Sequence, residues 1–502
     1  MELIIPLKSS KKPIYEQIYE YIKNEIKSGN LRTCEKLPST RKLSSDLKIS
    51  RSTVQLAYAQ LEAEGYVEAC ASRGYFISKI EELYNLEQSE SLKGNENYEK
   101  VHTIFKEKTF SYNNIIGGKD KESTKKNIID FSPRGIDFSA FPYTVWRKLS
   151  RDTFADDNTS MFSSGDHKGE LALREAIASY LHHARAVEAS ADRVIIGAGN
   201  EYLMLVLGII LGKRRIAIEN PTYKQAYRVL KSMGWDISAI SMDESGVKTS
   251  DLKKSCADIV YTMPSHQYPT GIVMSASRRS EIINWAVEDK KRYIIEDDYD
   301  SEFRYKGRPI PAMQGMGGAD NVIYIGTFSK AIAPAIRVSF MLLPERLMEA
   351  YERQAGFLSC TVPRPFQNIL YNFIADGHFE RHLNRMRKIY KSKHDIFIDE
   401  LKPFLEKFDI IGSNAGHHLI LKSKTGKSAQ YLAELAAQKG VKVYPIDDFF
   451  IDDLYMNDFN SGDFDTDDFI KKRIDKTVIL GYAPLSIKDI RKGLLLLKEV
   501  WL

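Results

Sequence analysis

Hydrophobic positions recur with a period near four at the start of the chain, where Ile14, Ile18, Ile22 and Ile26 line one face of a helix. Asn30 and Pro38 interrupt that pattern, and Leu43 and Leu47 mark a short second helix. Ser50 then stands at an N-cap position ahead of Val54, Ala57, Tyr58 and Leu61, which are spaced for a third helix ended by Gly65. Tyr66-Val67 and Tyr75-Phe76-Ile77, separated by a short segment containing Arg73-Gly74, read as a two-stranded ribbon. Residues 1–80 thus form one compact unit. From 81 to 126 the stretches SESLKGNENYEK and GGKDKESTKK are polar and poor in aliphatic residues, which predicts a flexible linker of about 45 residues.

After residue 127 the pattern changes to short apolar runs alternating with amphipathic helices. The runs are Val194-Ile195-Ile196, Ile216-Ala217-Ile218, Ile259-Val260-Tyr261, Tyr293-Ile294-Ile295 and Val322-Ile323-Tyr324-Ile325. Continuous apolar runs of this length suit strands buried on both faces, so the body is an α/β domain with a largely parallel sheet. From about 340 to 502, helices rich in Lys and Glu precede further short strands, which suggests a smaller α+β lobe. The acidic stretch 447–468 holds nine Asp and no Lys or Arg. It lacks the ligand order of an EF-hand, and a solvated loop is expected.

A chain of 502 residues with 43% hydrophobic and 28% charged content is a globular protein of about three units. Its longest apolar run, Leu203 to Leu211, is about half the length of a membrane span, and MELIIPLKSS lacks a secretory pattern. Cys34, Cys70, Cys256 and Cys360 lie far apart, as free thiols in a reducing cytoplasm would. The net charge of +5 is small, but residues 1–80 hold 13 Lys and Arg against 9 Asp and Glu. A basic end on a near-neutral body indicates two jobs.

Once Val54, Ala57, Tyr58 and Leu61 are buried, the third helix still exposes Arg51, Ser52 and Gln55, with Thr53 beside them. These side chains match base edges and phosphates in a major groove, and Arg41 with Arg73-Gly74 would reach flanking backbone or the minor groove. A small protein-binding module with a solvated basic face has the same periodicity. The stretch LPSTRKLSSDLKISRSTVQLAYAQLEAEGYV also resembles the GntR-type winged helix-turn-helix signature, matching at Leu37-Pro38-Ser39, Arg41, Ser50-Arg51, Thr53, Leu61 and Glu64-Gly65-Tyr66. That resemblance implies double-stranded DNA as a partner, contacted through Arg41, Arg51, Thr53, Arg73 and Gly74. Cys34 stands where the family has Gly before the LPS turn, which implies an altered turn.

The body offers what a pyridoxal phosphate (PLP) site needs: an imine-forming lysine, a carboxylate for the pyridine nitrogen, an aromatic face and phosphate donors. Lys330 follows a strand in GTFSK, and Asp297, with Tyr299 two residues on, follows another in YIIEDDYDSEFRY. Gly199-Asn200 open an apolar helix and would offer backbone N–H groups to the phosphate, with Thr327 and Arg337 completing the cradle. Tyr223, in ENPTYKQAY, would stack on the ring. Each feature alone has a dull reading as surface or packing; their order at successive strand ends carries the weight.

The pattern resembles a fold-type I aminotransferase of the aspartate aminotransferase superfamily over about residues 127–502, with large and small lobes. GDHKGELALREAIASYL and PSHQYPTG match as well, and Tyr268 stands where most aminotransferases have Asn beside the ring hydroxyl. A winged helix-turn-helix, a long linker and an aminotransferase-like body together are similar to the MocR/GabR family of transcriptional regulators. The resemblance implies PLP held as a Schiff base on Lys330, an amine, amino-acid or PLP effector, and a head-to-tail homodimer with each reader over the partner's body. Two departures stand out. Gln225 occupies the place of a carboxylate-binding Arg two residues after the stacking Tyr, and Ile479 occupies that of a second Arg before Leu480-Gly481-Tyr482. A working aminotransferase with a DNA-binding appendage is the alternative, and the missing clamps allow at most weak transaminase activity.

Overall fold

The computed structural model describes residues 5–6, 13–28, 30–32, 35–63, 66–70, 74–77, 128–154, 159–304, 311–317, 320–412, 415–451 and 476–502. The linker expected over 81–126, Arg73, Cys34 and most of the acidic stretch therefore lie outside the described residues.

The head consists of α1 (Ile14–Lys27), α2 (Thr40–Asp46), α3 (Arg51–Ala63), β1 (Val67–Cys70) and β2 (Gly74–Ile77), the last two an antiparallel hairpin. Ile18, Ile22, Leu43, Val54, Ala57, Tyr58 and Leu61 form its core together with Tyr66 and Val67. Ile14 departs from the expected face: at the first turn of α1 it is 44% exposed. Ser39 caps α2 by accepting from the Lys42 N–H at 3.1 Å, and Ser50 accepts from the Ser52 N–H at 3.3 Å at the start of α3.

The body is built on a seven-stranded sheet. Its order is Val194–Gly197, Ser339–Leu342, Val322–Thr327, Tyr293–Asp298, Ile259–Thr262, Arg215–Glu219, Asp236–Ile240. Only Ser339–Leu342 runs antiparallel to its neighbours. All five apolar runs read from the sequence lie in this sheet. Ser339–Leu342 lies in it too, although the sequence placed the small lobe from about 340.

A second sheet of Phe408–Ile411, His418–Ser423, Thr477–Gly481 and Tyr444–Pro445 forms the small lobe. The strand Ile129–Asp130 joins this lobe by pairing with Val441–Lys442, and Ile129 and Phe131 enter its core. The helix His378–Leu401 runs through both lobes: Phe379, Leu383, Met386 and Tyr390 pack in a large-lobe core, and Phe397 and Leu401 in the small-lobe core. Among the described residues no helix is long and apolar enough to cross a membrane.

Head and body touch within the one chain. The Tyr66 hydroxyl donates to the Glu380 carboxylate at 2.6 Å, both groups being buried, and the Lys388 ammonium donates to the Glu62 carbonyl at 3.3 Å. The resemblance placed the reader over a partner's body; in the single chain it rests on its own interlobe helix.

A hydrogen bond to a charged acceptor contributes about 1.5–3 kcal/mol. Tyr66→Phe should therefore raise undocking of the head roughly tenfold or more. Hydrogen exchange would show this as lost protection in α1 and in the first turns of the interlobe helix. Unchanged exchange in both would mean the contact does not hold the head.

Candidate functional site

Parallel strands align their C-terminal ends on one edge, where carbonyl ends and following turns leave a crevice. Four carboxylates emerge there from one segment, Glu296, Asp297, Asp298 and Asp300, and the structure gives each a different partner. Glu296 accepts from the backbone N–H groups of Met313 and Gln314 at 3.0 and 3.2 Å. Asp298 is paired with the Arg185 guanidinium at 2.8 Å and accepts from the Tyr324 hydroxyl. Asp300 meets His266 Nδ1 at 2.8 Å.

Asp297 is held by neutral side chains, where Glu296 has backbone N–H groups and Asp298 an arginine. Asn200 Nδ2 donates to its two oxygens at 3.2 and 3.3 Å and the Tyr261 hydroxyl at 2.5 Å. Burial is the largest influence on its carboxyl and pushes its pKa up to about 7. A carboxylate held this way fits a ligand that brings its own positive charge, such as a protonated pyridine nitrogen.

Lys330 lies three residues beyond the strand Val322–Thr327. Its ammonium donates to the carbonyls of Arg134 and Pro133 at 2.8 and 3.4 Å. Burial pulls its pKa down to about 8; Asp300 opposes the shift and Arg134 adds to it. The neutral amine needed to attack a carbonyl is then available near neutral pH.

Gly199 precedes the helix Asn200–Leu211 with φ of +101°, and a Cβ there would fall 2.1 Å from Arg337 Nη2. The positive φ favours glycine here, whereas the close guanidinium is the far end of a flexible side chain and could move. Its N–H is not free, as the sequence reading supposed, because it donates to the Gly197 carbonyl at 2.9 Å. Arg337 reaches the same corner, where it pairs with Glu201 at 2.8 Å. The Thr327 hydroxyl lies 3.0 Å from that of Ser329 and 2.9 Å from that of Ser339. Gly199, Asn200, Thr327 and Arg337 are thus together, with Glu201 as the acidic neighbour that the sequence reading missed.

The aromatic residues converge as well. Tyr268 precedes cis-Pro269 and stands edge-on to Tyr223, with ring centroids 6.2 Å apart, and to Tyr299 at 6.1 Å. Tyr299 meets His266 Nδ1 at 2.9 Å. His266 belongs to a group the sequence reading did not single out, although PSHQYPTG and the adjacent pair His417-His418 contain it. The His418 ring is 5.2 Å from that of His266, and His418 Nε2 meets the Pro269 carbonyl at 2.8 Å. Burial lowers the pKa of His418 to about 3 and holds that of His417 well below the ordinary value, with Lys330 adding to both shifts. Both rings are neutral. His266 is the histidine of this group in hydrogen-bond contact with Asp300.

In the head, Arg41, Arg51, Ser52 and Gln55 are exposed, Thr53 is half-buried, and Gly74 has φ of +103° at the start of β2. Arg51 Nε donates to the Thr40 hydroxyl at 3.3 Å, which ties the start of α3 to α2. The residues assigned to the third-helix face therefore share one solvent-facing surface.

Residues 133–453 match the family model "Aminotransferase class I and II", and residues 14–77 match "Bacterial regulatory proteins, gntR family". A regulator of Bacillus subtilis (strain 168), named uncharacterized HTH-type transcriptional regulator YhdI, is 34% identical over 98% of this chain and 97% of its own. The probable rhizopine catabolism regulatory protein MocR of Rhizobium meliloti is 27% identical over 98% of this chain and 94% of its own. The chain belongs to the MocR-type HTH transcriptional regulators. The body of this regulator also superposes on the multiple substrate aminotransferase of Thermococcus profundus. The TM-score is 0.64 at 23% identity, covering 75% of this chain and 92% of that one, which shows the fold.

The lowered Lys330 pKa makes a testable demand. With pyridoxal phosphate as an aldehyde probe, the rate of capture should rise from pH 6.5, reach half its maximum near the Lys330 pKa of about 8, and level off roughly one unit higher, where most of the amine is neutral. Stopped-flow absorbance would measure it. A rate still climbing beyond pH 10 would assign Lys330 the pKa of an ordinary exposed lysine, about 10.4.

Proposed function

We propose that this MocR-type regulator holds PLP covalently through Lys330 and uses occupancy of that site to control operator binding. The observation that carries the reading is the buried Asp297 carboxylate with neutral partners on the sheet edge that also bears Lys330. When bound, the cofactor supplies an electron-withdrawing ring and an exchangeable carbon–nitrogen double bond. Asp297 would face the ring nitrogen, Tyr299 and Tyr268 the ring hydroxyl, and Tyr223 the ring itself. Gly199, Asn200, Thr327 and Arg337 would take the phosphate once Arg337 leaves Glu201.

The effector is an amine, an amino acid or PLP itself. By favouring one arrangement of the two lobes, it would shift the spacing of paired heads on DNA. Such pairing calls for a homodimer in the head-to-tail arrangement that the resemblance implies. A cytoplasmic location fits a DNA-binding regulator. Efficient transamination is the second reading. It is disfavoured because Gln225 is exposed and engaged by Arg228, while Ile479 is wholly buried in the small-lobe sheet.

The test is a visible spectrum and an operator affinity, each measured with and without PLP and then with a panel of amines. Wild type should gain visible absorbance and a changed operator affinity on PLP addition, and Lys330→Ala should show neither. Multiple turnovers with an amino acid and a keto acid, without sequence-specific DNA retention, would favour the enzyme. In the head, Arg51→Ala should weaken specific operator binding by about 1–3 kcal/mol and spare random DNA. Equal losses on both, by fluorescence anisotropy, would assign Arg51 to phosphates.

A further inference from the structure

We infer that Arg134 is the anion anchor of the effector site and takes the carboxylate of an amino-acid ligand whose amino group meets Lys330. The inference rests on the cofactor reading above and narrows its effector to a carboxylate-bearing amine.

The backbone around Arg134 is fixed from both sides. The Phe131 N–H donates to the Lys442 carbonyl at 3.0 Å, and the Phe131 carbonyl accepts from the Gly481 N–H at 2.8 Å. A Cβ on Gly135 would lie 2.6 Å from Pro484, so the turn is pressed against the end of a small-lobe strand. On its other side the carbonyls of Pro133 and Arg134 receive the Lys330 ammonium. The guanidinium therefore starts from a backbone unit that already touches the reactive lysine.

The side chain faces three phenols drawn from separate parts of the fold: Tyr268 before cis-Pro269, Tyr223 after the strand Arg215–Glu219, and Tyr444 of the small lobe. The Tyr444 hydroxyl donates to Asp130 at 2.8 Å. The Tyr268 side chain is 6% exposed, and its buried hydroxyl lies beside the Arg134 guanidinium, its polar neighbour in this space. A guanidinium that spends one N–H on a phenol still has donors for an acceptor entering that space.

Other arginines of the large lobe are already engaged. Arg185 is paired with Asp298 at 2.8 Å, Arg337 with Glu201 at 2.8 Å, and Arg364 with Glu170 at 2.8 Å. No carboxylate among the described residues lies within ion-pair distance of Arg134, and its side chain is solvent-accessible. A planar guanidinium matches a carboxylate through two parallel hydrogen bonds.

Position also gives the contact a consequence. Ile129 and Phe131 belong to the small-lobe core, whereas Lys330 follows a strand of the large sheet. One ligand held by Arg134 and Lys330 therefore spans both lobes and favours the arrangement that brings them together, which is the differential affinity a sensor requires.

The probes are two reduced cofactor adducts, N-phosphopyridoxyl-L-leucine and N-phosphopyridoxyl-isopentylamine, which differ only in the carboxylate. Both are titrated by calorimetry into cofactor-free wild type, Arg134→Ala and Arg134→Lys, with PLP uptake as the control for folding. Wild type should prefer the leucine adduct by about ten- to hundredfold. Arg134→Ala should remove that preference and leave the affinity for the isopentylamine adduct unchanged, while Arg134→Lys retains part of it. Equal affinities in wild type, a preference that survives in Arg134→Ala, or uptake of PLP with neither adduct bound would each overturn the inference while leaving the cofactor reading standing. Wild type that takes up no PLP would overturn both.

Discussion

A buried carboxylate without a cation is the constraint on which the body of this regulator turns. Removing a charge from water is costly, and proteins offset the cost with a paired charge, with hydrogen bonds, or by protonation. At the sheet edge all these solutions stand within one segment. Asp298 has Arg185, Asp300 has His266, Glu296 has two backbone N–H groups, and Asp297 has only Asn200 and Tyr261. Neutral donors leave Asp297 with a pKa raised by burial to about 7, so near neutral pH it lies close to the balance between its two protonation states. A cationic ring nitrogen would tip that balance toward the carboxylate. The neutral states of His417 and His418 belong to the same economy, since charged imidazoles beside Lys330 would compete for Asp300.

Much of this was legible along the chain because buried parallel strands write themselves as continuous apolar runs. All five runs entered the central sheet, and Asp297 and Lys330 could be read as following two of them. The core of α3 was equally legible, since Val54, Ala57, Tyr58 and Leu61 are fully buried at helical spacing. Asp236–Ile240 was passed over because DISAI alternates polar and apolar residues, as suits an edge strand, and Ser339–Leu342 because it falls beyond the boundary assigned to the small lobe. The neighbours of Lys330 were harder still. His417 and Arg134 reach it from 87 and 196 residues away in the chain, and a lone histidine or arginine in a turn carries no local period. The phosphate corner shows a subtler limit: the pattern brings Gly199 and Arg337 together, but only coordinates reveal that Gly197 takes the glycine N–H and Glu201 takes the arginine.

The helix His378–Leu401 links these local facts to DNA. It is anchored in the large-lobe core through Phe379 and Leu383 and in the small-lobe core through Phe397 and Leu401. Near its start, Glu380 accepts the Tyr66 hydroxyl of the head. Packed cores resist gradual deformation, so a change in lobe arrangement passes along a rigid helix as displacement of its ends. The head thus rests on an element whose position both lobes decide.

The same geometry explains why sensing and catalysis diverge on one fold. Turnover requires a ligand to be held, converted and released on every cycle, and bidentate clamps speed this only when they bind the transition state better than the ground state. A sensor needs a ligand that binds one lobe arrangement better than the other, and a slow step afterwards costs it nothing. Gln225 lies at the surface and Ile479 is buried in the small-lobe sheet, so the two places where the resemblance implies carboxylate-binding arginines go to solvent and to packing. The segment Ile129–Arg134 instead belongs to one lobe while touching the reactive lysine of the other. Under the proposed reading, binding energy spent there would favour one arrangement of lobes, and the interlobe helix would carry it to the head.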